Sequence, residues 1–169
     1  PTLLIDQTKG RIVLNDDTEK SRTTRMRRVI RGFRPDVLAA GREAAGISRG
    51  ELARMAETTD VTIARWEKGQ VAPQIDKLAR VVALLNLSMS DVIEVPPDER
   101  FLSYWRYQRG WTQHHLAFEA RLSKTLVEQV ERGERIPDEK VEDRLRRTLG
   151  ITIEEFRAAH KRVRGREGG

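Results

Sequence analysis

The sequence contains no cysteine, few aromatic residues and no long apolar run. Only 5% of its 169 residues are aromatic, and mean hydropathy is −0.61. Without cysteine, the chain has no disulfide, no zinc–thiolate site and no cysteine nucleophile. It also lacks a segment of roughly 20 apolar residues, which a membrane-spanning helix needs, and an apolar signal-peptide core. These absences predict a chain without a membrane partner that stays in the cytoplasm.

The groupings that carry catalysis or bind metals are also missing. The chain has three histidines, and His114 and His115 are adjacent, so they point in different directions on a helix and do not form a ligand pair. There is no glycine-rich phosphate loop ending in Lys-Ser/Thr and no recognisable nucleophile with its base. We therefore expect no enzyme activity, no cofactor and no metal.

Positive charge is concentrated at the two ends of the chain. Residues 1–34 carry a net +5 and residues 157–169 carry +4, whereas residues 35–95 carry −2 and residues 96–156 carry −1. Basic ends around a balanced body predict that the ends contact phosphate and that the body supplies specificity. Simple solvation of the basic C-terminal tail is the alternative.

The body is an internal repeat with a period of 64 residues. Residues 42–73 align without gaps on residues 106–137, and eight of the 32 pairs are identical. The identical pairs are Arg42/Arg106, Gly46/Gly110, Leu52/Leu116, Ala53/Ala117, Ala56/Ala120, Glu67/Glu131, Gly69/Gly133 and Pro73/Pro137. Small residues and turn glycines recur while exposed positions differ, which predicts two copies of one domain.

Local signals in both copies predict helices. The first helix is expected from Pro35 to about Ala45, and later ones begin at cap residues such as Ser48 and Thr59. In the second copy, helices are expected at about 99–109, 112–119, 123–132, 138–148 and 152–163. Pro96 and Pro97 should form an extended, stiff joint between the copies.

The N-terminal segment is predicted to form a basic arm. Two short apolar runs, 3–5 and 11–14, predict a small β-hairpin, and residues 21–33 predict an amphipathic helix. This helix is expected to pack on the first copy while its arginines contact phosphate or the minor groove, with solvated arginines as the alternative. These arginines are Arg22, Arg25, Arg28 and Arg31. The predicted organisation is an arm (1–34), a first domain (35–95), a second domain (96–163) and a disordered basic tail (164–169).

Both copies carry a Leu-Ala pair before a capped helix that ends in Glu-x-Gly-x-x-x-Pro, at Glu67 to Pro73 and at Glu131 to Pro137. On these residues each copy resembles the lambda-repressor-like helix-turn-helix domain of the Cro/xenobiotic-response-element family. The resemblance implies an all-α fold of two tandem four-to-five-helix domains. It also implies structural ion pairs between Arg42 and Glu67 and between Arg106 and Glu131.

In such domains the third helix lies in the major groove and reads bases. The resemblance assigns base reading to Asp60, Val61, Thr62 and Arg65 in the first copy and to Lys124, Thr125, Leu126 and Gln129 in the second. It assigns phosphate contact to Arg49, Lys68, Gln70, Gln113, Arg132 and Arg135. Asp60 has two interpretations: it accepts a hydrogen bond from cytosine, or it serves the helix N-terminus.

The two recognition helices differ, so they cannot read the same bases. We therefore predict a sequence-specific transcriptional regulator that binds double-stranded DNA at an asymmetric site as a monomer; a homodimer is the alternative. The simplest role is a repressor of the phage or plasmid immunity type, acting without a small-molecule effector at the bacterial nucleoid or in a host cell. An architectural nucleoid protein, or an antitoxin or adaptor with one protein-binding domain, are the alternatives.

Overall fold

A computed structural model of the chain describes residues 4–5, 12–13 and 30–165. Strand β1 (Leu4–Ile5) pairs antiparallel with β2 (Ile12–Val13), with Leu4 opposite Val13. Two paired strands of the predicted hairpin are therefore present. Arg22, Arg25 and Arg28, which were predicted to contact DNA from the arm, lie outside the described residues.

Residues 30–165 are all-helical, as predicted, and they form two five-helix units. The first unit contains α1 (Pro35–Ala44), α2 (Arg49–Met55), α3 (Asp60–Glu67), α4 (Ile75–Leu84) and α5 (Met89–Val92). The second contains α6 (Leu102–Gln108), α7 (Gln113–Glu119), α8 (Lys124–Arg132), α9 (Glu139–Leu149) and α10 (Ile153–Arg164). In the part of the chain that the structure describes, no helix is long and apolar enough to cross a membrane.

Hydroxyl caps fix where the third helix of each unit begins. The Thr59 hydroxyl accepts a hydrogen bond from the Thr62 amide at 3.2 Å, and Ser123 accepts one from the Leu126 amide at the same distance. Each cap satisfies one backbone donor that the first turn of the helix leaves unpaired. The two helices with which the family reads DNA thus begin with the same capping hydrogen bond.

Each unit has its own aliphatic core. Leu38, Leu52, Ile63, Trp66 and Leu78 lie in the first core. The corresponding core of the second unit includes Leu116, Val127, Val130, Leu145 and Phe156. Ala53 and Ala117 are 2% and 3% exposed, because a small side chain is needed where two short helices cross closely.

The predicted helix over 21–33 is wrong at its C-terminal end. Arg31 and Gly32 form a turn, and Phe33 makes an antiparallel bridge with Ile93. The Glu94 amide donates to the Gly32 carbonyl at 2.9 Å, and Gly32 has a φ of +77°, a left-handed conformation that suits glycine. Pairing with a distant segment therefore replaces the local helix, and the first packed unit extends back to the buried Ile30.

The extended joint predicted at Pro96 and Pro97 holds at Pro96, with φ −52° and ψ 143°, but is wrong from Pro97 on. Residues Pro97–Glu99 form one 3₁₀ turn, and Val95 before them is buried in the first core. Tyr104 and Tyr107 of α6 pack against that same core. The two units are therefore in direct contact. Burying the aromatic surface of the two tyrosines against this core is more favourable than leaving it exposed to water.

The disorder predicted from residue 164 onward is wrong for Arg164 and Gly165. Helix α10 continues through Arg164, and Gly165 follows it as the C-cap. Residues 166–169 lie outside the described residues.

Candidate nucleic-acid interface

The start of α3 exposes the side chains expected to read bases in the first unit. Asp60, Val61 and Arg65 are exposed, Val61 by 54%, whereas Thr62 is half-buried with its hydroxyl 2.8 Å from that of Thr59. The Asp60 carboxylate accepts a hydrogen bond from the Val61 amide at 2.8 Å. In the free protein, Asp60 thus supports the start of α3, while Arg65 extends from the same helix into solvent.

The corresponding face of α8 is less open. The Lys124 ammonium lies 3.1 Å from the Glu128 carboxylate one turn later, and Leu126 packs on the second core. Thr125 is exposed, and Gln129 is half-buried. The two faces therefore present different chemistry: an exposed guanidinium on α3, and an amide with an intrahelical ion pair on α8.

A buried carboxylate ties the first three helices of the first unit together. Arg42 donates to Glu67 through Nε at 2.5 Å and through Nη2 at 3.3 Å, and Arg49 donates to the same carboxylate at 2.6 Å. The Glu67 side chain is only 2% exposed. Burial alone would raise the pKa of Glu67, but the two arginines outweigh it and hold the pKa below its ordinary value.

The second unit repeats this arrangement with one change. Arg106 donates to Glu131 at 2.7 and 2.9 Å, and the third partner is Gln113, whose amide donates to Glu131 at 2.8 Å. Burial would lower the pKa of Arg106, but the hydrogen bonds to Glu131 raise it. Both ion pairs that the resemblance implied are present, and each fixes the end of the third helix of its unit against the first helix.

The residues predicted to contact phosphate differ in their exposure and in the hydrogen bonds that they already make. Lys68 is exposed where α3 ends, and Arg49 is half-exposed while bonded to Glu67. Gln113 is only 9% exposed, and its amide already bonds to Glu131. Gln70 is exposed, and its backbone N–H donates to the Arg65 carbonyl at 2.9 Å.

The turn after α8 carries the remaining two predicted contacts. Arg132 pairs with Glu134 at 2.8 Å, and Arg135 is exposed. Arg31, predicted to belong to the basic arm, instead forms an ion pair with Glu99 and lies over the ring of Phe101, 5.3 Å from its centre. Arg31 therefore links the start of the first unit to the start of the second.

Sequence reasoning did not foresee that the basic end of α10 lies beside this turn. A Cβ added at Gly133 would lie 3.1 Å from Cγ of Arg164, and His160 Nε2 lies 3.1 Å from the Arg135 carbonyl oxygen. His160 is 8% exposed, and burial lowers its pKa against the opposing hydrogen bond to Arg135. The charge of residues 161–164 is visible in the sequence, but its position is set by contacts between distant segments.

The comparisons with known proteins agree with this geometry. The helix-turn-helix family model matches the chain twice, over residues 38–92 and 102–156. The chain belongs to this family of lambda-repressor-like, xenobiotic-response-element-type domains and carries two of them in tandem. It is therefore a DNA-binding transcription regulator of that family, which is a regulatory family and not an enzyme family. No curated protein and no solved structure matches the chain.

No group of three or more His, Asp or Glu side chains suited to holding a metal ion occurs among residues 30–165 and the two short strands.

Proposed function

We propose that the chain is a sequence-specific regulator, most simply a repressor, that binds an asymmetric duplex site as a monomer. One observation carries this proposal: the chain presents two matched recognition helices whose residues differ at all four predicted base-reading positions. Asp60, Val61 and Arg65 on α3 stand where α8 has Lys124, Thr125 and Gln129. Because a different side chain favours a different base edge, the two helices specify different blocks of sequence.

The residues around each helix support this proposal. Glu67 and Glu131 fix the helix ends, so the reading side chains start from defined backbone positions. Lys68 beside α3 and Arg135 beside α8 are exposed cations next to those faces. Such cations bind phosphate and position a domain, whereas the groove-facing residues specify sequence.

Selection of bound duplexes from a random DNA pool tests the proposal. Wild-type chain should enrich one asymmetric motif with two separated blocks. Arg65→Ala should degrade one block and Gln129→Ala the other, while Arg80→Ala on the outer face of α4 serves as a matched control that changes neither. A palindromic motif would show that two chains bind together, and it would refute the monomeric reading.

An architectural role makes a different prediction in the same assay. A nucleoid protein would bind at low salt with a steep salt dependence but would enrich no motif. That result would refute sequence-specific regulation while leaving DNA binding in place.

One observation favours an adaptor role for the second domain as a second candidate. Phe118 on α7 is 75% exposed, and Lys124 on the neighbouring recognition helix is already paired with Glu128. If the second domain binds a protein, Gln129→Ala will leave the selected motif unchanged. Phe118→Ser would then abolish the protein contact without altering DNA affinity.

A further inference from the structure

The contact between the two units joins different surfaces of the repeated domain. On the first unit the contact uses α4, where Ala79 faces the second unit. On the second unit it uses α6 and the turn after it: a Cβ at Gly110 would lie 2.5 Å from Cβ of Ala79, and the Gln108 amide donates to the Ile93 carbonyl at 3.2 Å. The interface therefore joins the fourth helix, the fifth helix and the residue that follows it in one copy to the first helix and turn of the other.

The repeat itself shows whether this contact is two-fold symmetric. In a two-fold contact, every pairing occurs twice with the copies exchanged. The exchanged partners of Gly110 and Ala79 are Gly46 and Asp143, each 64 residues away in the alignment. A Cβ at Gly46 would meet nothing within 4 Å, and Asp143 is paired with Arg146 and Arg147 on its own helix. The exchanged contact is absent among the described residues, so the two units are arranged head to tail.

The DNA-facing edges of the two units meet at this contact. Thr62 and Trp66 of α3, together with the segment 71–77 that follows, line one side of a cleft of about 870 Å³. Thr112 and Gln113, at the start of α7, line the other side. The recognition helix of the first unit therefore opens onto the same cleft as the edge of the second unit that the family turns toward phosphate.

Duplex DNA restricts how two like domains can dock on it. Two like domains that contact the DNA backbone in the same way are related in one of two ways. The first is a dyad, a two-fold axis perpendicular to the duplex, and the second is a screw rotation about the duplex axis. A dyad places them on inverted blocks, as in palindromic operators. A head-to-tail contact is incompatible with the dyad, which leaves the screw.

We propose that the two domains read DNA in the same direction along the duplex, as a direct and not an inverted arrangement. This inference rests on the proposed function, because it requires both recognition helices to read bases on one duplex. It names the kind of site: two unlike blocks at one fixed spacing and with parallel polarity. The spacing is fixed because Ala79 and Gly110 hold the units in contact.

Making the two domains read the same block reveals their relative direction. One variant gives α8 the reading residues of α3, and the reciprocal variant gives α3 those of α8. The first carries Lys124→Asp, Thr125→Val, Leu126→Thr and Gln129→Arg. The second carries Asp60→Lys, Val61→Thr, Thr62→Leu and Arg65→Gln. Helicity and thermal unfolding of both full-length variants establish that they are folded before duplex selection begins.

The selected motifs decide the outcome. Each grafted variant should enrich a direct repeat of one block and bind a synthetic direct repeat at least about tenfold more tightly than an inverted repeat of equal spacing. Enrichment of an inverted repeat by either variant would overturn the proposal. So would a single block from both folded variants, because screw-related domains with identical reading residues must both bind.

Failure of the proposed function would give a different result in the same duplex selection. If wild-type chain enriches no motif, sequence-specific regulation itself is refuted, whatever the grafted variants do. A two-block wild-type motif combined with inverted repeats from the grafts would leave the proposed function intact and reject only the direction.

Discussion

Substituting alanine at the turn glycine of each unit measures the contact between the domains. Gly46 and Gly110 occupy equivalent turns, with φ values of +67° and +65°. Alanine at either position pays for a left-handed backbone, about 1–2 kcal/mol. Only Gly110→Ala also introduces a clash, since the added Cβ lies 2.5 Å from Cβ of Ala79.

The size of the clash gives the expected difference in the free energy of unfolding between the two variants. Carbon atoms in contact lie about 3.5–4.0 Å apart, so the two domains must separate locally by about 1 Å or more. Overpacking of this kind costs about 1–3 kcal/mol. The free energy of unfolding should therefore fall by about 1–2 kcal/mol in Gly46→Ala and by about 2–5 kcal/mol in Gly110→Ala.

Urea unfolding followed by tryptophan fluorescence provides the measurement, with Trp66 in the first domain and Trp105 and Trp111 in the second. The double variant Ala79→Gly with Gly110→Ala removes the clashing Cβ. It should recover the about 1–3 kcal/mol of the clash, less the about 1 kcal/mol that glycine in α4 itself costs. Equal losses in Gly46→Ala and Gly110→Ala, within about 0.5 kcal/mol, would refute the packed interface and the fixed spacing derived from it.

Three further changes test the structure. Glu131→Gln leaves the 4%-exposed Arg106 without its charged partner and should cost about 3–5 kcal/mol in urea unfolding, whereas Glu134→Gln on the surface should stay within about 0.5 kcal/mol of wild type. Arg65→Ala should cost about 1–3 kcal/mol of DNA affinity and relax preference at one base pair in a binding titration; uniform weakening on all sequences would make Arg65 a phosphate contact instead. Burial lowers the pKa of His160 below 6.5, so the unfolded chain binds the extra proton and stability falls as the pH drops through about 6.5. His160→Gln should remove that part of the slope between pH 7.5 and 5.5, and an unchanged slope would contradict this assignment.

Local chemistry explains which elements could be predicted from the sequence. Helices α3 and α8 begin one residue after Thr59 and Ser123, as their caps indicate, because a hydroxyl that accepts a backbone amide acts within one turn. The pairing of Arg106 with Glu131 was also expected, since the family resemblance covers both residues. Such features depend on nearby residues or on a known motif.

The errors came from contacts between distant segments. Nothing near Ile30 or Phe33 in the sequence shows that they pack and pair with the end of the first unit, and Phe33 pairs with Ile93, 60 residues away. Pro96 and Pro97 do stop a helix, but whether the chain then extends or turns depended on the burial of Val95 and Tyr104. Periodicity in a single sequence carries no information about such partners.

The sequence predicted which residues belong to the candidate site better than it predicted their exposure and their hydrogen-bond partners. The exposure of Val61 and Arg65 follows from helical spacing, because Ile63 and Trp66 occupy the buried face. The engagement of Gln113 by Glu131 was not foreseen, because it depends on a contact between the start of α7 and the end of α8. Arg49, the equivalent of Gln113 in the repeat, bonds to the carboxylate equivalent to Glu131.

The divergence between the copies also explains why the contact forms once. A head-to-tail contact does not close on itself, so an identical repeat could add further domains without limit. A further unit would have to dock on the face of α9 equivalent to Ala79, where Asp143 stands paired with Arg146 and Arg147. Burying that charged cluster against a turn glycine would strip its water without supplying new partners, which is strongly unfavourable. The small residue at position 79 and the charged one at 143 thus favour one contact of this kind and oppose a second, in keeping with the proposed monomer with two recognition helices.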